Sequence, residues 1–496
     1  VSGGNQTTNY YFSVGYTNQE GILVKNDFGR KVARINVDHK PNKVVGIGGN
    51  FSYSQEINRA PNSGSLPGFL FSTAGLGRAP LITAPNVSPF RNDGTYNNGS
   101  NGLIGVMDNN AGQVGFYNPK AVADLNRAIN EGNRVLGNIY LSIKPFNGLT
   151  LRTQYGIDYL NSDNELFYSP LHGDGFPRGL ASSTLAKYRR WNWTNTAQYD
   201  RVIADDHSIS VLVGSEQQYT NNQGFGLQMQ DINDPFYTDI QGSYLTPTAA
   251  GRFRGENFLM SSFGRLNYDF AKKYYISLNG RQDEYSAFGD GNKKGQFWGV
   301  SGAWDIAQEG FYSNSIGKIF SSMKIRASHG TVGNIGGIGD FIAYSFYGGG
   351  LYGPSGSLTL NSVGNPELQW ETSKKTDIGL NFGILNDRIT GEFGYYKNDI
   401  DGLIYNVPQA PSRGIPGNSL LENIGSMYNK GFEFTLNAGV VRSRDFTWNA
   451  SFNFTTIKNE VTALAPGISE FTTASDLETV NITRVGEPLG ALFVVR

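Results

Sequence analysis

The chain has 496 residues, 64 of them glycine and 13% aromatic, with charged residues at only 17% against roughly 25% in globular chains. Glycine at this density excludes a mainly helical protein, and 41 Lys and Arg against 42 Asp and Glu create no global field that would draw in nucleic acid. The absence of cysteine removes disulfides, thiolate catalysis and Cys-based metal sites.

No apolar run reaches the roughly 18 residues of a transmembrane helix. Strands of a membrane barrel show only every second residue to lipid and average out as hydrophilic, and alternation of that kind runs through the chain. In the first segment Tyr10 and Tyr16 bracket Phe12 and Val14 on one parity. Arg34, Asn36 and Asp38 form the wet parity of the next. Over 44–56, Val45, Ile47, Phe51 and Tyr53 oppose Gly46, Gly48, Asn50, Ser52 and Ser54. Leu149, Leu151, Tyr155 and Ile157 then oppose Arg152, Gln154, Gly156 and Asp158. Trp191 and Trp193 share a parity, as do Asn279, Arg281 and Asp283. Phe432, Phe434, Leu436, Ala438 and Val440, and later Trp448, Ala450, Phe452 and Phe454, close the series.

A soluble sandwich alternates too, but these runs are about 12–18 residues long, not the usual five or six. Their connections alternate between short and long. Turn-forming pieces stand at Pro41-Asn42, Asn147-Gly148, Asp205-Asp206, Ala271-Lys272-Lys273, Asn386-Asp387 and Arg442-Ser443-Arg444, with a longer link of the same kind at 305–318 that has room for a helical turn. Gly/Asn/Pro-rich connections occupy 58–132, 161–185, 220–255, 333–369 and 402–428. Short turns on one rim and long loops on the other describe an outer-membrane barrel. The expected fold is therefore all-β: an antiparallel up-and-down transmembrane barrel of about fifteen strands, forming one domain over 1–496.

The apolar parity is read as lipid-facing, and the wet parity, with Arg34, Arg152, Asp158, Arg281 and Asp283, as lumen-lining. In a dry core such charges would each need a partner. His39, His172, His207 and His329 show no ligand spacing and are read as solvated or lumen side chains. Ser328 and His329 are adjacent, so they face opposite sides and cannot form a nucleophile–base pair. No catalytic, metal or cofactor-binding residues are expected. The best ligand chemistry lies in the loops, where Phe69, Phe71 and Tyr96, and then Phe341, Tyr344, Phe346, Tyr347 and Tyr352, stand among amides and hydroxyls. Flat rings in polar company suit sugars or peptides.

Several segments resemble one family. Asn9 to Tyr16 followed by Asn18-Gln19-Glu20-Gly21-Ile22, then "KIRASHGTVGN" (324–334), "NPELQWETSKKTDIGLNFGILNDRITGEFGYYKNDIDGLIYNVP" (365–408), "NIGSMYNKGFEF" (423–434) and "VGEPLGALF" (485–493), are similar to SusC/RagA-type TonB-linked outer-membrane transporters. The resemblance implies a barrel usually of about 22 strands, multi-pass in the lipid of the outer membrane. It also implies a SusD-like lipoprotein partner, oligosaccharide or peptide cargo, and energy relayed from the TonB–ExbB–ExbD complex through a plug and N-terminal segment. In the family those parts precede the region where this chain starts, so the chain is expected to be a barrel fragment without plug or signal peptide. A passive porin or surface adhesin without TonB coupling is the alternative.

Overall fold

The computed structural model describes residues 1–60, 76–77, 81, 83–105, 117–475 and 478–493. The strands in chain order are β1 (Ser2–Gly4), β2 (Thr8–Glu20), β3 (Asp27–His39), β4 (Val45–Arg59), β5 (Arg127–Ile143), β6 (Leu149–Tyr168), β7 (Leu180–Ile203) and β8 (His207–Ile232). They continue with β9 (Tyr244–Phe270), β10 (Tyr274–Tyr285), β11 (Lys294–Asp305), β12 (Phe320–Asn334), β13 (Phe346–Tyr352), β14 (Ser355–Ser362), β15 (Glu371–Ile384) and β16 (Ile389–Asp401). The last are β17 (Ile404–Pro408), β18 (Ser419–Asn423), β19 (Ser426–Arg442), β20 (Thr447–Thr455), β21 (Lys458–Ala463), β22 (Glu470–Ser475), β23 (Glu478–Arg484) and β24 (Ala491–Leu492).

Seventeen of these make one sheet, all antiparallel. From β2 each long strand pairs with the next in sequence, the β13–β14 and β17–β18 hairpins standing outside the wall. β20 and β21 both pair with β19 and are two halves of one stave, while β1 is a stub on β2. About fifteen full staves remain, as the sequence reading expects. The ladder absorbs the backbone N–H and C=O groups that lipid could not satisfy.

Register carries the two faces continuously around the sheet. Phe12 pairs with Ile35, Ile35 with Phe51, and Phe51 with Gly137. Val14 is 72% exposed and Phe452 56% exposed, as side chains meant for lipid should be. Two girdles bound this apolar band on β6–β11. Near the short turns, the Phe270, Tyr274 and Trp304 rings follow one another at 6.3 Å. Towards the long loops, Trp191 lies 5.9 Å from Tyr155, 5.9 Å from Tyr219 and 6.2 Å from Phe258. Along β9 the stretch Phe258 to Tyr268 is about the 9–11 residues that cross a bilayer.

The long rim differs from expectation in three places. The strands run on through most of 161–185 and 220–255, leaving 169–179 and 233–243 as connections. Both faces become polar there (Asn161, Ser162, Asp163, Asn221, Asn222, Gln223), so composition imitates a loop while the ladder continues above the bilayer. The connection at 21–26 is also short, so long-rim links are not uniformly long. The link at 305–318 holds two 3-10 turns, Ile306–Gln308 and Ile316–Lys318.

In a full-length protein, Phe452→Arg near the middle of the outward band should cost about 2–4 kcal/mol, whereas Asn453→Arg, on the opposite face, should be mild. Denaturant titration of barrels folded into vesicles measures both, and equal costs would reverse the facing assignment.

Candidate functional site: the inner wall and the long rim

The face opposite the aromatic girdles carries three charged groups. On β5 and β6, Arg134 grips Asp158 with Nε–Oδ1 2.7 Å and Nη2–Oδ2 2.6 Å, and Asp158 is the cross-strand neighbour of Arg190. These residues line a cavity of about 250 Å³ with Tyr188, Thr220 and Asn222. On β10, Arg281 reaches Asp283 at 2.6 Å, Glu216 at 3.3 Å and Ser261 Oγ at 2.7 Å. On β12, Arg326 pairs with Glu392 and lies 3.8 Å from Asp377, beside a cavity of about 420 Å³ that also takes in Asn267, Asp269, Tyr275 and Ser277.

Arg152 stands apart from these. Its guanidinium lies 3.9 Å from the Tyr140 ring centre, donates to Gln154 Oε1 at 2.8 Å, and the Tyr140 hydroxyl donates to Asp38. Gly48 makes this chain possible, because a Cβ there would sit 2.5 Å from Asp38 Oδ1 and 2.6 Å from Tyr140 Cε1. Gly379 does the same for Arg326, whose Nε would be 2.6 Å from an added Cβ. Arg34 shares the inward face, opposite Ser52 and Ser13. The sequence-predicted charges are thus spread over several staves and do not converge on one point. Arg326 and Glu392 escape the sequence reading, although Lys324, Arg326 and Ser328 alternate with Ile325 and Ala327 in a way that could have revealed them.

The long rim has its own small core. Tyr285, Ala287, Phe288 and Leu368 are buried, with Trp370, Ile404 and Leu421 packed against them. This cluster ties the β10–β11 link to segments 335–342 and 363–370 and to the β17–β18 hairpin. Above it, Phe341 and Phe346 lie 6.4 Å apart, and Tyr344, Tyr347 and Tyr352 are exposed. Tyr96 is occupied differently. Its hydroxyl donates to Asp124 Oδ2 at 3.0 Å, and its ring lies 5.5 Å from Phe90. Asp124 belongs to helix α1 (Pro119–Leu125), capped by Asn118. Tyr96 therefore holds its own loop together. Phe69 and Phe71 lie outside the described residues.

The histidines depart from expectation. His329 lies on the outward face, 2.9 Å from Thr376 Oγ1 and 5.7 Å from the Trp298 ring, while Ser328 faces inward. His172, at the tip of the β6–β7 hairpin, is fully buried with neither ring nitrogen hydrogen-bonded. It is enclosed because Leu171 and Gly173 bond across to Asn98 and Gly102. Among the described residues no group of His, Asp and Glu could hold a metal ion.

Two outcomes follow for the rim. Phe288→Ala removes a ring with no exposed surface and should cost the loop core about 3–5 kcal/mol, read as faster proteolysis within 335–368 while the wall strands stay protected. Burial lowers the His172 imidazole from 6.5 to about 4. Between those values the opened loop binds the proton that the closed loop refuses, so loop stability falls as pH drops through that window. Hydrogen exchange of 169–179 should quicken at pH 5 relative to pH 7, and His172→Phe should flatten the difference.

The family described as "TonB dependent receptor-like, beta-barrel" matches residues 83–491. TonB-dependent receptor P26 of Formosa agariphila is 30% identical over 93% of this chain and 45% of its own length. TonB-dependent receptor SusC of Bacteroides thetaiotaomicron is 28% identical over 94% of this chain and 47% of its own. The structure of the RagAB peptide transporter superposes with a TM-score of 0.82 at 26% identity, covering 98% of this chain and 52% of that one. The chain spans about half the length of the relatives it matches, and these are receptors and transporters, not enzymes. With its antiparallel wall, two-faced register and rim of long loops, the chain belongs to the TonB-dependent receptor β-barrel family of the outer membrane, on the SusC/RagA side of it.

Proposed function

We propose that this chain is the barrel portion of a TonB-dependent importer that takes up peptides or oligosaccharides with a SusD-like lipoprotein at its long rim. The observation that carries this reading is the division of labour within one family-defined barrel. The outward face is apolar, the inward face holds paired charges and hollows, and the rim is a packed loop cluster that displays aromatics. The wall makes and breaks no bond in the cargo. Arg34, Arg152, Asp158, Arg281 and Asp283 keep the passage wetted, and Tyr344, Phe346, Tyr347 and Tyr352 offer ring faces to the cargo. The β13–β14 hairpin exposes Leu351 and Leu358 on one side, a surface suited to a capping lipoprotein. Energy would come from the TonB–ExbB–ExbD complex through a plug and N-terminal segment. A passive porin or adhesin needs none of that coupling.

The full-length protein, produced in cells with and without TonB, should take up labelled peptide or oligosaccharide only when TonB is present. Tyr347→Ala with Tyr352→Ala should weaken capture about tenfold, since each stacked ring is worth about 0.5–1.5 kcal/mol beyond its area. Uptake that is indifferent to TonB would establish the passive reading.

A further inference from the structure

The outward face carries a feature that neither the lumen nor the cargo loops explain. On β6–β9 the register runs in rows. Ile157, Trp191, Tyr219 and Phe258 form the girdle row. The next row towards the long rim is Tyr159, Arg189, Asn221 and Glu256, and the one after is Asn161, Lys187, Gln223 and Arg254. Three cations thus stand immediately beyond the aromatics, on the side that faces lipid below and the headgroup layer at this height. Neighbouring strands are about 4.8 Å apart and successive residues about 3.3 Å apart along a strand, so all three backbone positions fall within about 12 Å of one another.

Their charge is poorly compensated within the protein. Arg254 touches Glu256 only at 3.8 Å. The Arg189 guanidinium lies 5.4 Å from the Tyr159 ring centre, which orients it without neutralising it. Among the described residues Lys187 makes no ion pair, and Asp163, one row higher, pairs with none of the three. A second outward lysine group stands at the same height on β15–β21, just beyond Tyr395 and Phe432, and serves as a contrast. There Lys374 meets Asp401 at 2.7 Å, Lys397 meets Asp399 at 2.8 Å and Lys458 meets Glu460 at 2.9 Å. Lys430, between Lys397 and Lys458 in the same row, makes no ion pair among the described residues and lies 4.8 Å from the Tyr428 ring centre. This group therefore closes three of its four charges at short range, whereas the first closes one of three, and only loosely.

We infer that Lys187, Arg189 and Arg254 form a binding site for the phosphate-bearing headgroup of an outer-leaflet lipid, the phosphorylated glucosamine disaccharide of lipopolysaccharide. Position selects the ligand. The girdle fixes the acyl boundary at Trp191, so the cations lie where lipid phosphates lie, and a basic cluster at that depth attracts anionic headgroups. The planar guanidinium of Arg189 suits bidentate phosphate binding, and the Asn221 amide beside it can add a donor. The inference rests on outer-membrane placement alone and is independent of cargo and energy coupling.

The test uses the full-length protein in detergent and native mass spectrometry with three probes: bis-phosphorylated lipid A, its dephosphorylated counterpart and inorganic phosphate. Retention of bis-phosphorylated lipid A should fall at least about tenfold in Lys187→Gln/Arg189→Gln/Arg254→Gln. It should be unchanged in Lys374→Gln/Lys397→Gln/Lys458→Gln. Heat-modifiable migration on gels confirms that each variant is folded, and Arg189→Gln alone, with a loss of about fivefold, replaces the triple variant if that one does not fold. Equal retention by both triple variants, equal retention of the dephosphorylated lipid, or displacement of the lipid by inorganic phosphate would each overturn the assignment.

Discussion

The whole structure depends on one constraint: in a bilayer every backbone N–H and C=O must be paired within the protein, and a sheet pairs them only by committing alternate side chains to opposite solvents. A one-residue slip would move Phe452 into the lumen and Asn453 into lipid, so register is held around the sheet from β2 to β21. The same constraint decides where large inward side chains can go. Tyr140 and Arg326 each lie across a neighbouring strand, and each crosses at a glycine, Gly48 or Gly379, where a Cβ would collide. Part of the high glycine content is therefore clearance for polar side chains, beyond what turns need.

The two rims are stabilised by different physics. At the short rim every link but 306–319 reverses the chain within a few residues, and Ala204, Asp205, Leu385, Asn386 and Asp387 take up positive φ there. At the long rim no lipid is available to reward exposed apolar surface, and ordinary hydrophobic burial resumes: Phe288 and Leu368 are fully buried in a core that the wall lacks. Loops built this way can loosen without unzipping the wall, because their packing and the ladder share few groups. His172 belongs to that separate regime. Its buried, unpaired imidazole makes the closure of one loop sensitive to protons that the wall does not sense.

The wall was legible in the sequence wherever a strand separates lipid from water, since partition then writes polarity into every second letter. That is why Tyr10, Trp191 and Phe452 could be placed, and why Arg281 and Asp283 could be assigned to the face opposite them. Legibility ends where the solvent is the same on both sides. Beyond Tyr159 on β6 and Tyr219 on β8 both parities turn polar, so strands that continue as ladders read as loops. Phe288 was hidden for a related reason, being an isolated apolar residue in a short Gly-flanked link whose partners come from distant segments. His172 could not be foreseen, because its burial follows from backbone bonds between two loops.

Charge is handled differently on the two faces, and the difference follows from their solvents. Inward, Arg134, Arg281 and Arg326 each hold a carboxylate on the same or an adjoining stave, which keeps the wall near neutral in line with a net charge of -1. Water and ions screen what remains within about 8 Å. Under the proposed importing role, a solute passing this face would meet local dipoles and hydrogen-bonding groups with no long-range field, and contact geometry would matter more than the sign of its charge. Outward, no such screening exists below the headgroups, and a cation can persist only at the interface or beside a carboxylate. Lys374, Lys397 and Lys458 take the second route, and Lys430 rests against the Tyr428 ring beside them. Lys187, Arg189 and Arg254, lacking enough carboxylates, are confined to the first, which ties the height of the barrel in its membrane to charge as well as to its aromatic girdle.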